Sequence, residues 1–592
     1  MKTRSLFAAA AAIAALFAQS CAQPCYEVRT DVPNKAFYKD IFMDTGIRMM
    51  EYRSMPVVDY LGLEYEYFFA PENTPENQAL QNAAYCGCET DLNGVLLYPD
   101  GEPRFRIIYV NGGYAGSHSL SLMARGRNNF RQAVMNGGSF IGSCAGAFLA
   151  SYGTYGSRRA QNGYLGLWPG VVDNTAGIMY PDYKLPEGSP LLQYYDFGGN
   201  SCVEGVMHMN GPYFSRWADT PGTEVLAVND YPEYKFNGYP SIIAYKEDGF
   251  TGRVIPSGGH PEQVPDGEGR DLMAALVKYA FDGLGAARVK SVLVNGEALE
   301  PDRIGDGQCH HFVFALPENA TDVKVTLEAL DSCNLSLRLA NGTFAFKEDA
   351  QYSVENGETA KELKFDSLEE GLWYVGVQCE DRVECTFGEH GFEYGGNLAL
   401  LNGMRYSIRV SWNQKGRKSP KVILPERDFP AGALLSPGSD FCEYLKQLSD
   451  PLAKASSADT SITRIVFRTS DSSCEGVRVD DLRSSEPIYA ALNEGVVTVS
   501  TPAKSITAGV DASFMFAHMH RLKEVENIQV LNTSGTKYFN DMFNECVALE
   551  CFDITALDMG SAWSTVNMFV DCKMLKDFNG GRQQDAEAIS FQ

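Results

Sequence analysis

The chain has 592 residues with 50 Lys plus Arg and 75 Asp plus Glu, which gives a formal charge of -25, and 44% of its residues are apolar. This length corresponds to about four folding units of roughly 150 residues each, and the composition excludes a mainly disordered, collagenous or coiled-coil chain. The acidic excess, without any cluster of Lys and Arg, also argues against nucleic acid or an anionic membrane as the main partner.

The first 22 residues have the features of a secretory signal peptide. Lys2 and Arg4 precede the apolar run from Leu6 to Ala18, which is too short to span a bilayer. Signal cleavage after Ala22 and lipid attachment through Cys21, at a loose lipobox, are two alternatives that the sequence leaves open. No later segment approaches about 18 consecutive apolar residues. We therefore predict an exported protein without a transmembrane segment, held in the cell envelope or at the outer surface, or secreted.

Export gives the 15 cysteines an oxidising compartment, where disulfides form. A bridge between Cys86 and Cys88, or between Cys379 and Cys385, is one interpretation, and buried or unpaired thiols are the other. The cysteines lack the repeated C-x-x-C pairs of a zinc site. We therefore expect no metal site.

Residues 23–286 alternate apolar runs bounded by glycine with helical patterns, which predicts an α/β domain with a largely parallel sheet. A helix over 130–135 ends at Gly137 and Gly138, and a final helix over 271–281 closes the domain. The candidate strands are Phe105 to Val110, Ser139 to Gly142, Glu224 to Val228, Ser241 to Tyr245 and Gly252 to Ser257.

Residues 287–412 show short alternating strands separated by Asn-Gly and Glu-Gly turns, which predicts a β-sandwich. The stretch from Leu368 to Val375 resembles the pre-peptidase C-terminal β-sandwich of secreted bacterial peptidases, and this resemblance implies an accessory domain. The run Cys309, His310 and His311 has no spaced partner ligands, so we predict an edge strand there rather than a metal site.

Residues 413–440 are rich in proline, glycine and basic residues and are predicted to form a linker, and residues 441–592 contain a repeat. A Met-Phe pair recurs at intervals of 27 and 26 residues, and a leucine follows each pair at the same distance; the residues are Met515, Phe516, Leu522, Met542, Phe543, Leu549, Met568, Phe569 and Leu575. A fixed period predicts a short solenoid. The pattern resembles bacterial surface leucine-rich repeats of the M-F-x-x-C-x-x-L kind, which implies a protein or cell-surface ligand; a spacer stalk is the alternative.

Residues 139–150 carry the most informative motif, a predicted strand, a tight turn with Cys144, and a helix. Gly142 and Gly146 flank Cys144, as a nucleophile elbow requires, because its backbone is strained and its strand and helix approach closely. The dipole of a helix N-terminus also favours a thiolate. Taken alone, an ordinary core cysteine is the alternative.

A second motif lies in residues 253–262, where His260 follows the end of a predicted strand and Glu262 comes two residues later. His260 is suited to accept the Cys144 proton and return it to a leaving amine, while Glu262 fixes the tautomer of His260. The carboxyl ends of parallel strands are also where α/β sheets bind ligands.

Together, the G-S-C-A-G-A and G-G-H-P-E motifs resemble the class I glutamine amidotransferase-like family, and more closely its branch typified by the N-terminal domain of some biotin-protein ligases. Supporting matches are Ile108 to Gly113, Asn210 to Phe214 and Val225 to Val228. The resemblance covers about residues 100–285 and implies a flavodoxin-like α/β sheet carrying a Cys144, His260 and Glu262 triad.

The resemblance further implies an oxyanion hole formed by the backbone N-H groups of Gly113 and Ala145. Ordinary loop histidines are the alternative for the two histidines among the candidate pocket residues. These candidates are Asn111, Gly112, Tyr114, His118, His208 and Asn210.

The leading hypothesis is an exported cysteine hydrolase of a peptide, γ-glutamyl or cell-wall amide bond that acts through an acyl-thioester without a cofactor. A small-molecule or peptide amide would be its substrate. The first alternative is a surface adhesion or binding protein whose amidotransferase-like domain is catalytically silent. A partner-dependent amidotransferase is a weaker alternative, because no ATP-using synthase region is evident in the chain.

Overall fold

Residues 24–156, 159–414, 419–430 and 432–578 are described by a computed structural model of the chain. The predicted signal peptide, with Cys21, lies outside the described residues. No helix in the described ranges has the length and apolar character needed to cross a membrane. The fourteen cysteines of these ranges are all free thiols, so neither pair considered from the sequence, Cys86 with Cys88 or Cys379 with Cys385, forms a disulfide.

The chain divides into two compact units that do not follow the sequence order. One unit combines the described parts of residues 1–36, 286–383 and 396–426, and the other combines residues 37–285, 384–395 and the described residues from 427 onward. The predicted α/β region and the predicted repeat region therefore belong to one compact unit.

An eleven-stranded sheet organises this larger unit. Its strands are β1 (Lys39–Thr45), β2 (Tyr65–Phe69), β3 (Phe105–Val110), β4 (Ser139–Ser143), β5 (Asp182–Lys184), β6 (Cys202–Val203), β7 (Glu224–Asp230), β8 (Pro240–Ala244), β9 (Val254–Ser257), β10 (Glu384–Gly388) and β11 (Gly391–Gly395). The spatial order is β6-β5-β7-β8-β9-β4-β3-β1-β2-β11-β10.

Only the centre of this sheet is parallel, so the prediction of a largely parallel sheet was wrong. Strands β2, β1, β3, β4 and β9 pair in parallel, whereas all the strands outside them pair antiparallel. The reason lies in the connections, because short loops join β7 to β8 and β8 to β9, and a parallel neighbour needs a crossover of about a dozen residues. The central strands β3 and β4 are buried along almost their whole length, as parallel strands covered on both faces should be.

The described ranges contain seven α-helices, so the fold is rich in strands and poor in helix. They are α1 (Pro56–Leu61), α2 (Pro75–Cys86), α3 (Ala115–Ser121), α4 (Met123–Met135), α5 (Ala145–Ala150), α6 (Gly267–Asp282) and α7 (Gly438–Gln447). Apolar residues of α6 pack with the central strands in one buried core. Smaller strands around the sheet are Gly153–Thr154, Arg159–Ala160, Val171–Asn174, Ile178–Met179, His208–Met209 and Pro212–Tyr213.

The β10–β11 hairpin extends the central sheet although its sequence lies among the sandwich strands. Gly391 pairs with Phe68 of β2 in a left-handed backbone conformation, with φ of 101°. A Cβ atom at Gly391 would stand 1.9 Å from the Tyr67 carbonyl oxygen, so this close approach requires glycine. Tyr394, on the same strand as Gly391, donates a hydrogen bond to the buried Glu66 and fixes the hairpin further along β11.

The smaller unit is formed by two antiparallel sheets with short additional strands. The first sheet has the order Ser291–Val292, Cys309–Leu316, Gly371–Cys379, Leu335–Asn341, Tyr352–Val354, and the second has the order Ala298–Leu299, Tyr406–Asn413, Thr321–Ala329, Ala360–Ser367. Cys25–Glu27 pairs in parallel with Lys421–Ile423, so part of the predicted linker forms a strand.

The run from Cys309 to His311 lies on an interior strand, so the prediction of an edge strand was wrong. The short strand Ser291–Val292 covers the exposed side of this strand by parallel pairing, which no pattern in the sequence indicated. His310 shares a hydrogen bond with the Tyr406 hydroxyl, and His311 packs edge-on against Phe344.

Residues 433–578 contain α7 and short strands that pair mostly in parallel, except that Tyr489–Asn493 pairs antiparallel with both of its neighbours. Their strands are Ala433–Leu434, Arg464–Arg468, Val477–Arg478, Tyr489–Asn493, Val496–Ser500, Ile506–Thr507, Glu524–Glu526, Leu531–Asn532, Cys551–Phe552 and Asp577–Phe578. Asp511, Tyr538 and Ser564 bridge in parallel from one segment to the next. The same register brings Phe543 between Phe516 and Phe569, with ring centroids 4.9 and 5.3 Å apart. The Met-Phe periodicity thus corresponds to a buried stack of phenylalanines.

Candidate active site

Cys144 lies in a strained turn between β4 and α5. Its backbone has φ of 49° and ψ of -101°, a region that side chains other than glycine rarely adopt. A Cβ atom at Gly142 would stand 2.5 Å from the backbone of Gly146, and one at Gly146 would stand 2.3 Å from the Val110 carbonyl oxygen. The two glycines of the motif therefore permit the close packing of strand and helix that presents the thiol.

Gly113 and Ala145 carry the two backbone amides predicted to form the oxyanion hole. Ala145 begins α5 directly after Cys144, and Gly113 follows β3 on the neighbouring strand, with φ of 144°. Among the hydrogen bonds of the described residues, neither N-H has an acceptor. The Gly146 N-H donates to the Asn111 carbonyl over 3.1 Å and ties the loop after β3 to the elbow. Both amides are therefore available to a ligand oxygen.

His260 and Glu262 form a buried pair just after β9. Nδ1 of His260 lies 2.9 Å from Oε1 of Glu262, and neither side chain is exposed. Because Nδ1 faces the carboxylate, it carries the proton in this arrangement, and Nε2 is the nitrogen left for the thiol. Nε2 has no hydrogen-bond partner among the described residues. The His260 N-H also donates to the Met207 carbonyl over 2.8 Å, which fixes the turn.

The surroundings of His260 favour its protonated form. Burial by itself lowers the pKa of His260, but its interactions with Cys144 and Glu262 outweigh burial and raise the pKa to about 10. The structure thus brings Cys144, His260 and Glu262 into one electrostatic group. The Sγ atom of Cys144 donates to the Met209 carbonyl over 3.4 Å.

Glycine gives the imidazole its space. A Cβ atom at Gly112 would stand 2.5 Å from Cε1 of His260. Asn111 is buried and its amide donates to the Met50 carbonyl over 3.2 Å, so it supports the loop that carries Gly112 and Gly113. Asn111 and Gly112 therefore build the wall of the site.

His208 is buried and does not lie at an open surface. Its ring is buried and stacks on Phe236, and Tyr183 and the Gly211 carbonyl lie 3.2 Å from its two nitrogens. Burial lowers the pKa of His208 to about 4, so this imidazole is neutral at pH 7.

His118, Tyr114 and Asn210 occupy three different environments. His118 is fully buried and its Nε2 lies 2.5 Å from the Asp44 carboxylate, so the described contacts place it with Asp44 and not with Cys144. Tyr114 is exposed next to Gly113. Asn210 is exposed, and its side chain accepts the Gly177 N-H over 2.7 Å.

Sequence reasoning missed the buried tyrosine beside the Glu262 carboxylate. Tyr109, on β3, lies 3.2 Å from Ser143 and from Asn111, and burial together with the Glu262 charge raises its pKa well above the usual value. Its place within a largely apolar strand hides it among core residues. Sequence reasoning also missed the Met209 carbonyl, because a pattern of side chains does not indicate a backbone acceptor.

The described residues contain no group of His, Cys, Asp and Glu with the arrangement of a metal site.

Comparisons with known proteins give weak similarities. No protein-family model matches the chain. An uncharacterized protein of Chlamydia muridarum (strain MoPn / Nigg) is 26% identical over 217 residues, which cover 34% of this chain and 80% of that protein. A solved glutamine amidotransferase aligns at 18% identity and a TM-score of 0.24, over 38% of this chain and 90% of that chain. The pre-peptidase C-terminal domain of a Bacillus anthracis collagenase aligns at 12% identity and a TM-score of 0.16, over 22% of this chain and 100% of that domain. Scores this low carry no argument about function.

Proposed function

We propose that the protein is an exported cysteine-dependent hydrolase of amide bonds. The observation that carries the proposal is the buried His260 and Glu262 pair, 2.9 Å apart, whose imidazole interacts with a cysteine held in a strained elbow. A buried ionisable pair with a shifted pKa is costly to maintain in a fold, and such pairs are concentrated at functional sites.

In the proposed reaction the Cys144 thiolate attacks the amide carbonyl carbon, and the thiol proton is held by His260. The tetrahedral oxyanion accepts hydrogen bonds from the N-H groups of Gly113 and Ala145. Each such donor typically raises the catalytic rate constant by a factor of about 10² to 10³. The C-N bond then breaks, and His260 returns the proton to the leaving amine. Water attacks the acyl-thioester with His260 as general base, which releases the carboxylic acid and restores the thiol.

Hydrolysis is a simpler outcome than ammonia transfer for this chain. The sequence contains no evident ATP-using synthase region, and the predicted export removes a cytoplasmic acceptor of ammonia. We propose a peptide, γ-glutamyl or cell-wall amide as the substrate class.

The other regions are proposed to position this hydrolase. We propose that residues 441–592 are leucine-rich repeats of the bacterial surface kind; the parallel bridges and the Phe516, Phe543 and Phe569 stack within the described part support this proposal. A protein or cell-surface ligand is the proposed partner of these repeats. The sandwich is proposed to be an accessory domain of the pre-peptidase C-terminal kind.

Thiol labelling of the purified full chain, kept reduced, tests the proposal. We expect a limiting amount of iodoacetamide to modify Cys144 first among the cysteines, as located by peptide mass spectrometry. Replacing His260 with alanine should slow this labelling at least about tenfold, because the imidazolium no longer stabilises the thiolate. His520→Ala, at a histidine of the repeat region, is the matched control and should change nothing.

Labelling of Cys144 at the rate of the other cysteines, with no effect of His260→Ala, would refute the hydrolase. The alternative of a surface binding protein with a silent domain would then stand.

A further inference from the structure

Two segments that contribute to the candidate site carry highly exposed apolar side chains. Tyr114 and Ile178, with Leu452, are the three most exposed large apolar side chains among the described residues, at 70%, 60% and 70%. Tyr180, at 57%, lies two residues after Ile178 in sequence. Exposed apolar groups that gather at one place mark a surface that binds something apolar.

Tyr114 belongs to the wall that carries the candidate oxyanion hole. It directly follows Gly113, and its N-H donates to the Arg48 carbonyl over 2.9 Å, which fixes its position on the loop. The same loop places Gly112 against the His260 ring. Tyr114 therefore follows Gly112, which lies against the imidazole, by only two residues.

Ile178 belongs to a second wall, the short segment paired with Met209. It pairs directly with Met209, whose carbonyl accepts the hydrogen bond of the Cys144 thiol. The Gly177 N-H donates to the Asn210 side chain over 2.7 Å and holds this short two-stranded segment in place. Both walls thus present an exposed apolar side chain on backbone that is fixed by hydrogen bonds.

We propose that Tyr114 on one wall, and Ile178 with Tyr180 on the other, bind apolar side chains that flank the scissile amide, so that the substrate is a peptide. This inference rests on the proposed hydrolase. A free amino-acid amide offers an ammonium and a carboxylate near its carbonyl and has no group to cover these surfaces. A peptide with apolar residues on both sides of the amide removes them from water.

The inference can be tested on the full chain with three tripeptide chloromethyl ketones. The three probes are identical except at one residue, which is Phe, Gly or Asp. Attack of the Cys144 sulfur on the methylene carbon forms a C-S bond and releases chloride, so the labelling rate reports how well each probe is held. We expect the Phe probe to label Cys144 at least about tenfold faster than the Gly probe, a factor within reach of one apolar group in a pocket. Tyr114→Ser and Ile178→Ser should each lower this Phe-to-Gly ratio.

Leu452→Ser is the matched control, since Leu452 is as exposed as Tyr114 and lies in the repeat region; its ratio should equal that of the wild type. A wild-type ratio near one, a faster Asp probe, or a ratio that Tyr114→Ser and Ile178→Ser leave unchanged would overturn the inference. If iodoacetamide labelling of Cys144 still depends on His260, these results leave the hydrolase standing. If that dependence is also missing, the hydrolase itself fails.

Discussion

At the scale of single residues, the elbow depends on contacts that only glycine allows. The Gly146 Cα atom faces the Val110 carbonyl across a gap that would put a Cβ atom 2.3 Å from that oxygen. Val110 ends the buried strand β3, and Gly146 lies in the helix that follows the buried strand β4. The Val110 carbonyl therefore cannot move aside without disturbing the packed central sheet.

Replacing Gly146 with alanine should therefore destabilise the protein. Overpacking of this kind costs about 1–3 kcal/mol or more in free energy of unfolding, which urea denaturation followed by tryptophan fluorescence can measure. Gly116→Ala is the matched control, because Gly116 is also helical and a Cβ atom there meets open space. Its expected effect is a slight stabilisation, as alanine is the better helix former. Equal losses for the two variants would contradict this account of the elbow.

The raised pKa of His260 gives a second prediction at this scale. With a pKa of about 10, His260 is protonated throughout the neutral range, so its charge opposite Cys144 does not change between pH 6 and 8. The iodoacetamide rate at Cys144 should then vary little over that range. Cys144 and Glu262 both raise this pKa, and Glu262→Gln removes the second of these charges, so the rate should become more pH-dependent as the imidazole loses its proton. A steep pH dependence in the unmodified protein would show that His260 is not held protonated.

At the scale of elements, the phenylalanine stack joins successive segments of the repeat region. Phe543 lies between Phe516 and Phe569 and also meets Phe552, with ring centroids 4.5 Å apart. Each parallel segment is too short to be stable alone, so its stability comes from its neighbours in the stack.

Phe543→Ala should open a cavity in this stack and lower the free energy of unfolding by about 3–5 kcal/mol, as measured by urea denaturation. Met574→Ala, at an exposed position of the same region, should stay close to the wild type. A small loss at Phe543 would mean that the stack does not hold the segments together.

At the scale of the larger unit, a buried network of charges joins the central sheet layer to the repeat region. Arg127 on α4 donates to Asp440 and Glu443 on α7 over 2.6 and 3.1 Å, and all three side chains are buried. Arg131 also pairs with Asp440. Asn540 adds a second link, since its amide group exchanges two hydrogen bonds of 3.1 Å with the backbone of Ala160.

Arg127→Met should lower the free energy of unfolding by about 3–5 kcal/mol, because it leaves the Glu443 carboxylate buried without the guanidinium that pairs with it. Adding Glu443→Met should recover part of this loss, and chemical denaturation of the single and double variants measures the difference. Lys523→Met, in the exposed pair with Glu550, is the control and should have almost no effect. If the double variant lost as much free energy of unfolding as the two single variants together, Arg127 and Glu443 would not be coupled.

The parts of the fold that depend on local sequence were predicted well. The strand over Phe105–Val110 agrees with its prediction at both ends, and the helix that closes the α/β region extends beyond its predicted 271–281 to Gly267–Asp282. Strands β1 and β2 were missed, since Lys39 to Thr45 mixes charged residues into its buried run, and Asp44 is buried with His118. The direction of the outer strands was also missed, because it depends on which neighbours meet.

The sequence by itself determined the elbow and the spacing of Cys144, His260 and Glu262, because glycines at a tight turn and a histidine after a strand leave local patterns. Only the tertiary structure decided that β10 and β11 complete the central sheet and that the repeat region packs on it through Arg127, Asp440 and Glu443. These pairings join residues that are hundreds of positions apart in the chain. Their stability comes from shared burial and charge, which no local pattern records.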